Sequence, residues 1–144
     1  MQGCQDVILD EKFRLRIPNK FRSELGERFV IFHGLDDCLS IMSVTNFEKY
    51  KAPLHNIPHS DIEARRAARA VIGTVENIDE DSQMRFVISA ELREIAGIDK
   101  QIRLIGYLDT LEVWAHEKLD GIDFGKAGSV TRAMTTLSDI GYNF

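Results

Sequence analysis

The chain has 144 residues, of which 44% are hydrophobic, and a formal net charge of −5. That length and apolar content suit one ordinary domain or two very small ones, and they exclude a disordered chain. Net negative charge argues against indiscriminate nucleic-acid binding, but the charge is uneven: residues 12–28 hold six Lys/Arg against two Glu, which is +4, leaving −9 for the rest.

Val7, Leu9, Phe13, Leu15 and Ile17 fall at odd positions, the period of a strand with one buried face. The segment Val7–Ile17 therefore reads as two strand pieces around a turn near Asp10–Lys12. Pro18 stops the second piece and opens a short helix, which Gly26 closes after Leu25. Phe29–His33 is an apolar strand, Gly34–Cys38 a turn, and Leu39–Met42 the next strand. Thr45-Asn-Phe-Glu48 and Ser60-Asp-Ile-Glu63 are capping boxes, so helices are expected to begin there. The first runs to about Lys51, limited by Pro53, and the second to about Val71, before Gly73. Ala115–Leu119 reads as helical, and the Gly-, Ser- and Thr-rich stretch from Gly121 to Phe144 carries one weak helical patch, Val130–Leu137.

The second part of the chain repeats the first. With a shift of 71, Asp10 falls on Asp81, Arg14 on Arg85, Leu15 on Phe86, Ile17 on Ile88, Phe21 on Leu92, Arg22 on Arg93 and Gly26 on Gly97. With a shift of 72, Gly34 falls on Gly106, Asp37 on Asp109, Leu39 on Leu111 and Ile41 on Val113. Such a frame is the mark of an internal duplication. Each half is too small to fold alone, so the two are expected to pack about a pseudo-two-fold axis. The organisation read from the pattern is a first repeat over 5–47, linking helices over 48–75, a second repeat over 76–119 and a peripheral tail over 120–144.

Asp10-Glu-Lys-Phe-Arg14 and Asp81-Ser-Gln-Met-Arg85, with Ile17-Pro-Asn-Lys-Phe-Arg22 after the first and Leu104 to Trp114 closing the second, resemble the MraZ family of bacterial transcriptional regulators. These are tandem versions of the SpoVT/AbrB-like DNA-binding domain, and the resemblance covers roughly residues 1–120. It implies an α+β fold of two tandem swapped-hairpin, β-rich repeats with short helices. It also implies ring-shaped homo-oligomers that bind double-stranded DNA at short direct repeats ahead of a cell-division and cell-wall gene cluster, as a repressor. On that resemblance Arg14 and Arg85 contact DNA, Lys12, Arg16 and Lys20 contact phosphate, and Asp10 and Asp81 are the motif acids. The family usually has glycine just before each motif arginine, where this chain has Phe13 and Met84. If those sites need a positive φ, a bulky residue costs on the order of 1–2 kcal/mol, and a rebuilt turn is expected.

Arginine suits such a task because its planar fork can hold guanine O6 and N7, or a phosphate, through two parallel bonds. The plainer reading of each Asp–Arg pair is a structural ion pair that fixes its turn, and one residue can do both. Arg22 and Arg93 read as helix-end caps or as partners of acids between subunits, with direct DNA contact the lesser alternative. Arg65, Arg66 and Arg69 read as a solvated face or a subunit contact. Trp114 and the strands Phe29–Phe32 and Ile102–Ile105 are expected to form the shared core.

No enzymatic constellation is present in the sequence. His33, His55, His59 and His116 are scattered, and Pro58 places the pair His55/His59 in a loop, so no metal site and no cofactor are expected. There is no Gly-rich phosphate loop, no Gly-x-Ser-x-Gly motif and no Cys/His pairing suited to nucleophilic attack. Cys4 and Cys38 read as free thiols in a reducing compartment. No apolar run reaches membrane-spanning length and no leader pattern is seen, so a cytoplasmic, nucleoid-associated protein with no membrane and no small-molecule substrate is expected. The competing function is a divergent oligomeric scaffold that has lost DNA binding and acts through protein partners.

Overall fold

A computed structural model describes residues 1–119 and 126–142. The odd-position alternation of the first stretch is realised in it: Leu9, Leu15 and Ile17 are buried, and Val7 and Phe13 pack against the same core. In chain order the elements are β1 (Cys4–Ile8), β2 (Arg14–Arg16), α1 (Asn19–Leu25), β3 (Phe29–His33), β4 (Leu39–Ser43), α2 (Val44–Lys51) and α3 (Ile62–Ile72). Then follow β5 (Glu76–Asn77), β6 (Arg85–Val87), α4 (Ala90–Ala96), β7 (Gln101–Tyr107), β8 (Thr110–Ala115) and α5 (Ser129–Asp139).

This is an α+β fold with two antiparallel sheets. The larger has the order β1-β7-β8-β4-β3-β5, and the smaller is a ribbon of β2 and β6 alone. The larger order is a palindrome under the sequence repeat: β1 corresponds to β5, β7 to β3 and β8 to β4. At its centre Ser40 stands opposite Glu112, its own counterpart at a shift of 72. In the ribbon Leu15 stands opposite Phe86, its counterpart at a shift of 71. A residue can pair with its own equivalent only on a two-fold axis, so both sheets lie across one pseudo-two-fold. The outer strands are exchanged: β1 pairs with β7 of the second half, and β5 with β3 of the first. The two pieces around the first turn therefore do not pair with each other; β1 joins the large sheet and β2 the ribbon.

One core serves both halves. Leu15, Ile17, Phe21 and Leu25 meet their counterparts Phe86, Ile88, Leu92 and Ala96 over Ile41, Leu104, Leu111 and Val113. The expected core strands divide between layers. Phe29 and Ile31 face this core, while Val30 and Phe32 face the other side, where they cluster with Met42 of β4 and Phe47 of α2. Trp114 is not in the shared core; it packs with Cys38 and Leu119 in a satellite cluster. Gly106, inside β7, is required by close approach, because a Cβ there would lie 2.6 Å from the Gln2 backbone nitrogen, and a Cβ on its counterpart Gly34 would overlap the Ser40 hydroxyl.

Helix starts differ slightly from the capping boxes. α2 is capped by the Ser43 hydroxyl, which accepts from the Asn46 N–H at 3.0 Å, because β4 runs straight into the helix. α3 is capped by Asp61, which accepts from the Ala64 N–H at 3.0 Å. His116–Lys118 is a single 3-10 turn, and His55 lies in another, Ala52–Asn56, rather than in open loop. No residue of α3 is buried, and α5 buries only Ser129. Residues 120–125 and 143–144 of the expected peripheral tail lie outside the described residues. Among those described, no helix is long and apolar enough to cross a membrane.

The exchanged strands make a falsifiable demand. A fragment of residues 1–73 keeps β1 to β4 but loses the partners of β1, β2 and one edge of β4. It is expected to show no cooperative urea transition by circular dichroism, whereas mixing it with 74–144 restores one.

Candidate nucleic-acid interface

Each motif begins with an aspartate folded back over its own turn. Asp10 Oδ1 accepts the backbone N–H of Lys12 at 2.9 Å and of Arg14 at 3.0 Å, and Oδ2 accepts Arg14 Nε at 2.6 Å. Asp81 Oδ1 accepts the N–H of Gln83 at 2.8 Å and of Arg85 at 3.0 Å, and Oδ2 accepts Arg85 Nε at 3.2 Å. The carbonyls of Asp10 and Asp81 accept the N–H of Phe13 at 2.9 Å and of Met84 at 3.0 Å. This is the physical content of the Asp-x-x-x-Arg spacing: one carboxylate collects the amides two and four residues on and then the arginine's Nε.

The amide four residues on can reach that carboxylate only if the chain reverses sharply just before it. Phe13 has φ 57° and Met84 φ 61°, the left-handed region in both cases. The turn is therefore not rebuilt, contrary to expectation; the side chains are tolerated in the backbone that glycine would favour. Neighbours hold both residues. The Arg93 guanidinium lies 3.5 Å and the Lys100 ammonium 3.8 Å from the centre of the Phe13 ring, and Lys100 Nζ also donates to the Asp10 carbonyl at 2.9 Å. The Met84 carbonyl accepts Arg22 Nη2 at 3.0 Å, and Arg22 pairs with Glu80 through bonds of 2.5 and 3.2 Å. Lys100 was not singled out from the sequence, although its counterpart at a shift of 72, Arg28, is also basic.

The ribbon assembles the reading face. Leu15 and Phe86 point into the core, so Arg14 and Arg16 on β2, and Arg85 and Val87 on β6, project to the other side. The register sets Arg16 directly opposite Arg85 and Arg14 opposite Val87. Each motif arginine has its Nε held by its own aspartate. Arg85 Nη1 also lies 4.0 Å from Asp10 Oδ2, which links the two motifs across the axis. The terminal guanidinium edge of Arg14 has no partner among the described residues, so a two-point contact with an acceptor is left available.

Lys12 sits exposed in the first turn beside this face. Lys20 does not join it. It lies on α1, where its ammonium donates to the Cys4 carbonyl at 3.0 Å. The two turns are chemically unequal, with Lys12 and Arg16 in the first matched by Gln83 and Val87 in the second. Among the described residues, no group of three His, Cys, Asp or Glu side chains could hold a metal ion. Cys38 is buried, and burial first, then Glu112, pushes its thiol far above the usual range, so it stays a neutral donor.

The family model described as "MraZ protein, putative antitoxin-like" matches residues 1–70 and 72–121. The chain belongs to the MraZ family. A protein named transcriptional regulator MraZ from Lachnoclostridium phytofermentans is 33% identical over 142 residues, spanning 99% of this chain and 98% of the relative. One of the same name from Thermoanaerobacter sp. strain X514 is 37% identical over 117 residues, 81% of this chain and 82% of its own length. A third, from Methylococcus capsulatus, is 34% identical over 117 residues, 78% of this chain and 77% of its own. These names describe regulators, a non-enzymatic class, as the sequence reading expected of this MraZ-family chain.

Two outcomes follow from the turn geometry. The Arg14 backbone N–H first, then its side chain and the Lys12 N–H, hold the Asp10 carboxyl down at about 2, below its ordinary 3.8. A depressed folded value means that these bonds are complete above about pH 4 and are lost as pH falls toward 2. Carboxyl NMR titration is expected to place Asp10 there, and Arg14→Ala to move it upward. Separately, Met84→Gly is expected to stabilise by about 0.5–1 kcal/mol, relief of left-handed strain less the entropy of glycine. Phe13→Gly is expected to gain nothing, because the ring's two cation contacts go with it; thermal unfolding of both variants checks this.

Proposed function

We propose that this chain binds double-stranded DNA in a sequence-specific way through the β2–β6 ribbon and thereby regulates transcription. One observation carries the reading: the register sets Arg16 opposite Arg85 on an outward face that also holds Arg14. Like charges directly opposite one another destabilise a strand pair, and a polyanion laid on that face reverses the sign. A two-stranded ribbon fits the width of the DNA major groove. The braced forks of Arg14 and Arg85 are suited to guanine edges, with Arg16 and Lys12 on phosphate. The names of the relatives, all transcriptional regulators, support the same function.

The ribbon is two-fold in backbone but not in side chains. A site read by Lys12, Arg14 and Arg16 on one strand and by Gln83, Arg85 and Val87 on the other has a direction. Repeated in one orientation, it becomes a set of direct repeats, which suits repression ahead of a cell-division and cell-wall gene cluster. Few base-contacting side chains per copy give modest grip, so several copies held in a ring supply avidity. Ile62, Val71 and Ile72 of α3, a helix with no buried residue in the single chain, are exposed apolar side chains that support assembly between copies. The competing reading, a scaffold acting only through protein partners, drew on Phe13, Met84 and the acidic surface; the left-handed backbone kept at Phe13 and Met84 favours the DNA reading over it.

Fluorescence-polarisation titration against a duplex of repeated sites from the upstream region, at two salt concentrations, tests the proposal. Wild type is expected to bind with steep salt dependence, and Arg14→Ala and Arg85→Ala each to weaken binding by on the order of tenfold or more, about 1–3 kcal/mol per lost two-point base contact. Absence of binding by wild type at low salt sinks the reading.

A further inference from the structure

Arg22 on α1 and Arg93 on α4 are equivalent under the repeat, and both begin in the same way. Arg22 Nε donates to the Ile17 carbonyl and Arg93 Nε to the Ile88 carbonyl, each at 3.0 Å. From that shared anchor, each side chain leaves its own half. The terminal nitrogens of Arg22 reach Glu80 and the Met84 carbonyl of the second motif. The Arg93 guanidinium lies over the Phe13 ring of the first.

The contacts fall on the residue just before each motif arginine, the one in left-handed backbone. The Met84 carbonyl and the Arg85 N–H belong to one peptide unit. Arg22 therefore grips at one end the same plane that Asp81 grips at the other. In the first motif the Phe13 carbonyl already accepts the Ile88 N–H at 3.0 Å, and Arg93 holds the side chain instead. The Arg22–Glu80 pair is largely shielded, its side chains 15% and 19% exposed, so it is less screened than a surface pair.

We propose that Arg22 and Arg93 are crossed positioning residues: Arg22 fixes the second-half turn and so the pose of Arg85, and Arg93 fixes the first-half turn and so the pose of Arg14. This rests on the DNA-binding reading for its consequence, and on the contacts alone for the clamp. A guanidinium fork must be held within a fraction of an ångström to make both of its bonds, and the left-handed residue behind it is the part of the turn most ready to relax.

The test is a set of double-mutant cycles in duplex binding, with amide hydrogen exchange measured on the free protein. Arg22→Ala is expected to be non-additive with Arg85→Ala by about threefold or more and near additive with Arg14→Ala; Arg93→Ala is expected to show the reverse. A general loss of stability moves both pairs alike and does not produce the crossing. In exchange, Arg22→Ala should deprotect the amides of Gln83 and Arg85 while sparing those of Lys12 and Arg14, and Arg93→Ala should do the opposite. Glu80→Gln and Phe13→Leu, which loosen each clamp from its other side, serve if an arginine variant fails to fold. Equal coupling to both motif arginines, or deprotection of both turns together, overturns the proposal. If wild type binds no duplex, the DNA reading falls and the exchange pattern alone decides the clamp.

Discussion

Two strands of three residues cannot hold each other together in water. The β2–β6 ribbon persists because Leu15 and Phe86, opposite one another on the axis, are driven into the common core. Phe86 adds an edge-on contact with Phe29, the ring centres 6.4 Å apart. Full burial of side chains of this size contributes about 1.5–3 kcal/mol each, more than the ribbon's few hydrogen bonds return on balance. Once those two side chains point inward, the pleat leaves Arg14, Arg16 and Arg85 only the outward face. The basic surface is thus a by-product of apolar burial one residue away, held at whatever cost the repulsion between Arg16 and Arg85 imposes.

The same axis explains why the halves are inseparable. Each outer strand of the large sheet belongs to the half on the far side, and the inner pair β4–β8 is itself a contact between halves. Lys100 reaches the Asp10 carbonyl from ninety residues away, and Arg22 reaches Glu80 and Met84 in the other half. Neither motif turn is a local structure. Each is closed by its own aspartate and then backed by a cation from the opposite half, which makes a left-handed Phe13 or Met84 tolerable without glycine.

Charge follows the same division. The second turn lies among Asp79, Glu80 and Asp81. Two of these acids are engaged in the fold, Glu80 by Arg22 and Asp81 by Arg85 with two backbone amides. The acidic body that remains keeps non-specific attraction low, so the local basic face dominates only at short range.

The sequence by itself determined the duplication, the strand and helix order and the pairing of each motif aspartate with its arginine, because all of these are local or periodic. Alternation at odd positions identified the buried face, and the shift of 71 or 72 paired the residues that later met on the axis. It also placed glycine where close backbone approach demands it, at Gly106. Only the tertiary structure decided that β1 and β2 part company, that Arg16 faces Arg85, that Trp114 leaves the shared core and that Lys20 turns to the Cys4 carbonyl. It also decided the partners of Arg22, Arg93 and Lys100. These depend on strand register and on contacts between residues far apart in the chain, and a one-dimensional pattern carries no information about which of several equally apolar or equally charged surfaces will be brought together.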